Sequence, residues 1–212
     1  MSSAKEEILA RIRRATEDVS DVRETEYAAI QRTYVQRGAD DSAQRVEMFI
    51  DRLQDYGCGV CRCSRAEIAV TVGFVLRDRT KRRLLVPTGI PAEWLPEEFE
   101  FVRENSFSNE MLDQMEGVLT GCALGIAFTG TIVLKHSSDE GRRAATLIPD
   151  YHLCVVFEEQ VVETVPEGIR AISAFSASPI TTVSGPSATS DIEMTRIKGV
   201  HGPRTFDVVL VC

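Results

Sequence analysis

The chain predicts an α/β layer fold built on a mostly parallel sheet. Three observations carry that expectation: helical and strand periodicities alternate over residues 40–87, β-branched runs bounded by Gly, Pro and Ser dominate the rest, and the last run, FDVVLVC, is apolar almost throughout. A strand buried on both faces reads as a continuous apolar run, so residues 206–212 belong in a sheet interior.

In chain order, residues 6–15 place Ile8, Leu9 and Ile12 at helical spacing among Lys, Arg and Glu, which predicts a solvated helix with a narrow apolar stripe. Residues 40–56 make a stronger amphipathic pattern. Val46, Phe49, Ile50 and Leu53 share one face and Gly57 supplies the stop, so this helix should lie on a sheet. A short CGVCRC run, a helix over 65–76 and a strand over 83–87 follow. Strands are expected at 125–134, 153–163, 180–185 and 206–212, with one helix, 166–174, among them. No internal repeat or low-complexity linker interrupts the pattern. The expectation is a three-layer α/β sandwich over residues 1–212 as a single domain, with an N-terminal helical extension (1–57 as lead-in) and 58–212 as the sheet-containing body.

Residues 117–134 carry no charge and place Gly117, Gly121 and Gly125 four apart, a spacing used by paired membrane helices. A span needs ~20 predominantly apolar residues, and Thr120, Thr129, Gly130 and Thr131 interrupt this one, so two soluble elements joined at Gly125 are expected and no membrane span. Lys+Arg number 24 against 32 Asp+Glu, a net charge of −8 that repels a phosphate backbone, so no nucleic-acid partner is expected. Residues 1–83 carry 16 basic and 14 acidic side chains, and residues 84–212 carry 8 and 18, so the acidity lies in the second part. Six Cys in 212 residues are too sparse for a disulfide scaffold, and the opening MSSAKEEILARIRRA lacks the apolar core of a signal peptide, which predicts a reduced, cytoplasmic chain.

The stretch most suggestive of chemistry is SGPSATSDIEMTRIKGVHGPR, residues 184–204. Ser190 and Glu193 match the capping box that starts a helix, with Asp191 between them. Ahead of it, Gly185 can adopt angles barred to other residues, and Ser184, Ser187 and Thr189 offer hydroxyl donors beside a positive helix end, an anion-binding arrangement. Arg196, Lys198, His201 and Arg204 follow, so three of the eight basic residues of the acidic part gather here. The bland alternative is a strand-to-helix turn whose hydroxyls only cap. A second candidate is the Thr129, Gly130, Thr131 turn, which exposes amides and hydroxyls with little bulk; its alternative is a plain hairpin turn. Cys58, Cys61 and Cys63 lack a second C-x-x-C partner, so they read as small buried hydrophobes and no metal is expected. His136 and His152 stand without a neighbouring nucleophile or metal spacing and read as surface or structural residues.

Three segments, LDQMEGVLTGCALGIAFTGTIVL (112–134), LIPDYHLCVVFEEQVV (147–162) and SGPSATSDIEMTRIKGVHGPRTFDVVLV (184–211), resemble the LUD-domain family in order, with GPSATSDIE and GVHGPR the distinctive parts. The resemblance implies a fold similar to the ribose-phosphate isomerase, glucosamine-phosphate isomerase and CoA-transferase group, with ligand sites in loops that follow strands. It implies that the SGPSATSD loop and the Thr-Gly-Thr turn meet as a pocket for a small carboxylate or phosphate. It further implies a place in bacterial L-lactate oxidation to pyruvate, as the cluster-free member beside iron–sulfur subunits, with no cofactor of its own. The family pattern has an acidic residue after the alanine before the turn, whereas this chain has Ala127 then Phe128. The carboxylate a CoA-transferase-like reaction would use is absent there, leaving Asp191 and Glu193 as catalytic candidates. A stand-alone isomerase or acyl-transfer enzyme using either as base, and a non-catalytic organic-acid sensor, are the alternative functions.

Overall fold

The computed structural model describes residues 4–16, 20–175, 178–189, 197–199 and 201–212. The chain divides into two compact units, Met1–Tyr34 and Val35–Cys212. The first holds α1 (Ala4–Thr16) and α2 (Ser20–Ala29). α1 buries no side chain: Ile8, Leu9 and Ile12 are exposed, and Arg11 pairs with Glu7 one turn back at 2.7 Å. This is the solvated helix that a thin apolar stripe predicts.

The second unit runs α3 (Ser42–Asp55), β1 (Gly59–Cys63), α4 (Ile68–Asp78), β2 (Arg83–Val86), β3 (Glu100–Arg103), α5 (Asn109–Asp113), β4 (Val118–Thr120), β5 (Leu124–Ile126), β6 (Thr131–Leu134), β7 (Tyr151–Phe157), β8 (Val161–Val162), α6 (Val165–Ile172), β9 (Thr181–Val183), β10 (Ala188–Thr189), β11 (Ile197–Lys198) and β12 (Thr205–Val211). Six strands lie side by side in the order β1, β12, β7, β4, β2, β3, and every neighbouring pair is parallel. Helices cover both faces, so the expected mostly parallel α/β fold is present.

Strand periodicity decides which residue meets which helix. Val208 and Leu210 of β12 and Cys154 and Val156 of β7 pack with Val46, Phe49 and Leu53 of α3. Their neighbours Val209, Val211, Leu153 and Val155 pack with Ile68, Val72 and Leu76 of α4. α3 starts where the Asp41 carboxylate accepts from the Gln44 amide at 2.9 Å and Gln44 Oε1 accepts from the Asp41 amide, a capping box of about 1 kcal/mol. It stops at Gly57, whose φ of +84° is cheap for glycine alone.

The sequence pattern did not foresee a second, four-stranded sheet, β8-β5-β6-β9, in which only β5 and β8 run parallel. Ile132 and Leu134 join the α3 core, while Leu124, Ile126 and Val133 pack with Ala171 and Ile172 of α6. The single strand expected over 153–163 is therefore two strands in two sheets. It breaks because Gln160 turns back, accepting from the Phe157 amide at 2.8 Å and donating to the Cys122 carbonyl at 2.7 Å, and the intervening turn carries the chain across. The joint expected at Gly125 is also corrected. Gly125 lies inside β5, where a Cβ would meet the Phe49 ring at 2.9 Å, so its small size serves the close approach of α3. No helix among the described residues is long and apolar enough to cross a membrane.

Candidate functional site

β9 ends at Val183, opposite Ile132 of β6, and delivers Ser184 and Gly185 into a loop. Gly185 has φ +85° and packs where any Cβ would strike the Tyr56 side chain. The loop is stitched to the segment preceding β12: the Ser187 amide donates to the Pro203 carbonyl at 2.8 Å, its hydroxyl accepts from the His201 amide at 3.0 Å, and its carbonyl accepts from the Gly199 amide at 3.0 Å. The Thr-Gly-Thr turn reaches this loop through one contact, Thr131 Oγ1 to Ser184 Oγ at 2.8 Å, with Thr129 Oγ1 bonded behind it to Thr131. The Ser187 amide is thus engaged within the protein, and the Ser184 hydroxyl shares one hydrogen bond with Thr131 in which either oxygen donates.

A cleft of about 240 Å³ opens beside these loops, lined by Ser184, Gly185, Ser187 and His201 together with Arg143, Thr146, His152, Thr181 and Phe206. An adjoining cleft of about 600 Å³ shares Arg143 and His201 and adds Arg204, Asp113 and Asp150. Arg204 pairs there with Asp150 at 3.4 Å. Thr129, Gly130 and Thr131 lie beside the first cleft rather than in its lining. Asp191 and Glu193, named as catalytic candidates, lie outside the described residues, as do Ser190 and Arg196 and the helix expected to begin at Ser190. Thr189 sits in β10 opposite Ile197.

Arg143 and Thr146 of the lining drew no notice in the sequence, and His152, read there as a surface or structural residue, lines the cleft with them. Arg143 follows Arg142 directly, yet the two differ in what holds them. Arg142 is paired with Glu104 and donates to the Phe107 carbonyl, whereas the Arg143 guanidinium is exposed at the junction of the clefts with no side-chain partner among the described residues. Thr146 is buried, its hydroxyl turned to the Arg143 carbonyl at 3.2 Å. His152, at the start of β7, is 1% exposed, bonded through Nε2 to Thr120 Oγ1 at 2.8 Å, with its ring 4.8 Å from that of Phe206. Burial, assisted by Arg143, lowers its pKa to about 3, so the imidazole is neutral at physiological pH. A lone histidine heading an apolar strand was the one sequence sign of it.

His136 is held at both ring nitrogens, Nδ1 with the Gly141 carbonyl at 2.9 Å and Nε2 with Thr181 Oγ1 at 2.7 Å, so it clamps the end of β6. Phe128 is 62% exposed, outside the lining, with its amide on the Glu163 carbonyl. No carboxylate occurs among the described residues lining the first cleft. Cys61 and Cys63 pack half-buried on the α4 side of β1, while Cys58 joins the α3 core, its thiol pushed up to about 12 by burial and by Asp207.

The fold and this cleft define a two-sheet α/β domain whose first cleft is lined, among the described residues, by Arg143, two histidines and several hydroxyls and by no carboxylate. Residues 34–211 match the LUD domain model, and the chain belongs to the LUD domain family. It is similar to lactate utilization protein C of Deinococcus radiodurans, 47% identical over 172 residues, or 80% of each chain. The protein of the same name in Bacillus subtilis is 31% identical over 99 residues, 44% of this chain and 41% of that one. The crystal structure of a DUF162 family protein from Deinococcus radiodurans superposes with a TM-score of 0.73 at 41% identity, covering 82% of this chain and 100% of that chain.

Proposed function

We propose that this chain is a cytoplasmic, cluster-free component of a bacterial L-lactate utilisation system that works beside iron–sulfur subunits and holds a small carboxylate in the Arg143 cleft. The observation that carries the reading is the Arg143 guanidinium, which has no side-chain partner among the described residues, over a lining of hydroxyls and imidazoles with no described carboxylate. A carboxylate there gains a charge-assisted fork. The volume of about 240 Å³ falls below the ~300–1,000 Å³ of drug-sized pockets, which favours an acid of few carbons over a nucleotide. The relatives named lactate utilization protein C supply the metabolic setting. The missing acid at Phe128 favours binding over covalent chemistry.

Thermal-shift titration with L-lactate, pyruvate and inorganic phosphate tests the site. A ligand at a hundredfold over its Kd adds ~2.7 kcal/mol, and Arg143→Ala is expected to abolish that gain. Purification from the native host is expected to bring iron and acid-labile sulfide with the chain. Failure of every small carboxylate to stabilise it, or turnover of substrate by the isolated chain that Glu193→Gln removes, overturns the reading.

A further inference from the structure

His152 lines the cleft while almost wholly buried, and it is met by the protein at one ring nitrogen only. Its Nε2 is held by Thr120 Oγ1 at 2.8 Å, and among the described residues Nδ1 has no partner. Thr120 is itself fully buried, and a hydroxyl either donates or accepts. When Thr120 donates to Nε2, the ring proton resides on Nδ1 and the cleft is offered a donor. When Thr120 accepts from Nε2–H, Nδ1 carries a lone pair and the cleft is offered an acceptor. The two arrangements differ by the position of one ring proton and the rotation of one hydroxyl, and neither introduces a charge. The cation, which could only donate, is suppressed by burial and by the neighbouring Arg143.

The geometry points to the Thr120–His152 pair as the reader of the oxygen next to an Arg143-anchored carboxylate, accepting from the hydroxyl of a 2-hydroxy acid and donating to the carbonyl of a 2-oxo acid. This inference rests on the carboxylate reading of the cleft and deepens it by naming the ligand class. The ligands are short 2-hydroxy and 2-oxo monocarboxylates, both oxidation states of one carbon skeleton, held with similar strength. An acid of the same size without that oxygen would cover Nδ1 without meeting it, which disfavours it. No covalent bond to the ligand forms and its oxidation state does not change on this chain.

Isothermal titration of the full chain with L-lactate, pyruvate and propionate separates the possibilities. Lactate and pyruvate are expected within about threefold of each other and propionate at least tenfold weaker, while His152→Phe, which preserves the packing on Phe206, brings all three to the propionate level. ¹⁵N spectra of His152 are expected to show the Nε2–H tautomer with lactate and the Nδ1–H tautomer with pyruvate. If none of the acids binds, the carboxylate reading falls and this one with it. If all three bind alike, or His152 keeps one tautomer in both complexes, the anchor stands and the reader is refuted. The wild-type series and spectra decide the matter even if the His152 variant does not fold.

Discussion

Tyr151 and His152 are neighbours on β7, and Phe206 and Asp207 on β12, yet each pair serves two regions whose polar groups are in opposite states. On the α4 side, the Asp207 carboxylate, 3% exposed, accepts from Arg79 Nε and Nη2 at 2.7 and 2.8 Å and from the Gly59 amide and Tyr151 hydroxyl at 3.0 Å. Every partner there is protein, and the tyrosine is held protonated by burial and the adjacent Asp207. On the other side, His152 and Phe206 face the cleft, where a histidine nitrogen and the Arg143 guanidinium lack partners among the described residues. The difference teaches that polarity alone does not mark a ligand site in this domain. A closed network ties β1, α4, β7 and β12 together, whereas an open one leaves hydrogen-bonding capacity for something else.

The comparison breaks if the closed region proves dispensable. Asp207→Ala strands the half-buried Gly59 amide and the buried Tyr151 hydroxyl, and a loss of about 3 kcal/mol in urea unfolding is expected. That is the low end for a broken pair because the Arg79 side chain is 37% exposed and water takes up part of its charge. Lactate affinity should be unchanged where the variant is folded. Next in size is the pH dependence of His152. Its folded pKa, about 3, lies below the unfolded value near 6.5, so between those values the unfolded chain binds the extra proton. Stability should fall as pH drops through that window, by up to about 1.4 kcal/mol per pH unit, and level off below it; His152→Phe should lack this share of the slope in urea titrations at pH 7 and 4.5. Arg143→Ala is the mirror of Asp207→Ala: carboxylate binding drops at least tenfold while the unfolding free energy moves by less than about 0.5 kcal/mol, as for an exposed side chain with no partner among the described residues. The smallest effect belongs to Phe128→Glu. Restoring the acid at an exposed position outside the lining should shift stability by under about 0.5 kcal/mol and confer no turnover in a lactate or acyl-transfer assay.

Part of the site was legible before the structure. Ser184, Gly185, Ser187 and His201 were singled out from loop chemistry, and all four line the cleft. Their roles differ from simple donation, because Ser187 spends its amide and carbonyl holding two loops together, a pairing between residues 187, 199 and 203 that no local pattern announces. Arg142 and Arg143 are indistinguishable in SSDEGRRA; what separates them is Glu104, 38 residues away from Arg142 in the chain. His152 looks like any histidine at a strand end until Thr120 and Phe206 are brought to its two sides.

The sequence by itself determined the alternation of helices and strands, the buried face of α3, the glycine stop at Gly57 and the solvated character of α1. These follow from periods of 3.6 and 2 residues and from backbone angles, all of which are local. Only the tertiary structure decided that 153–163 divides between two sheets, that six parallel strands adopt the order β1, β12, β7, β4, β2, β3, and which of two adjacent residues enters the cleft. Those outcomes depend on partners tens of residues away. A one-residue step along a strand reverses the face a side chain meets, so long-range pairing assigned Tyr151 to the closed network and His152 to the open one.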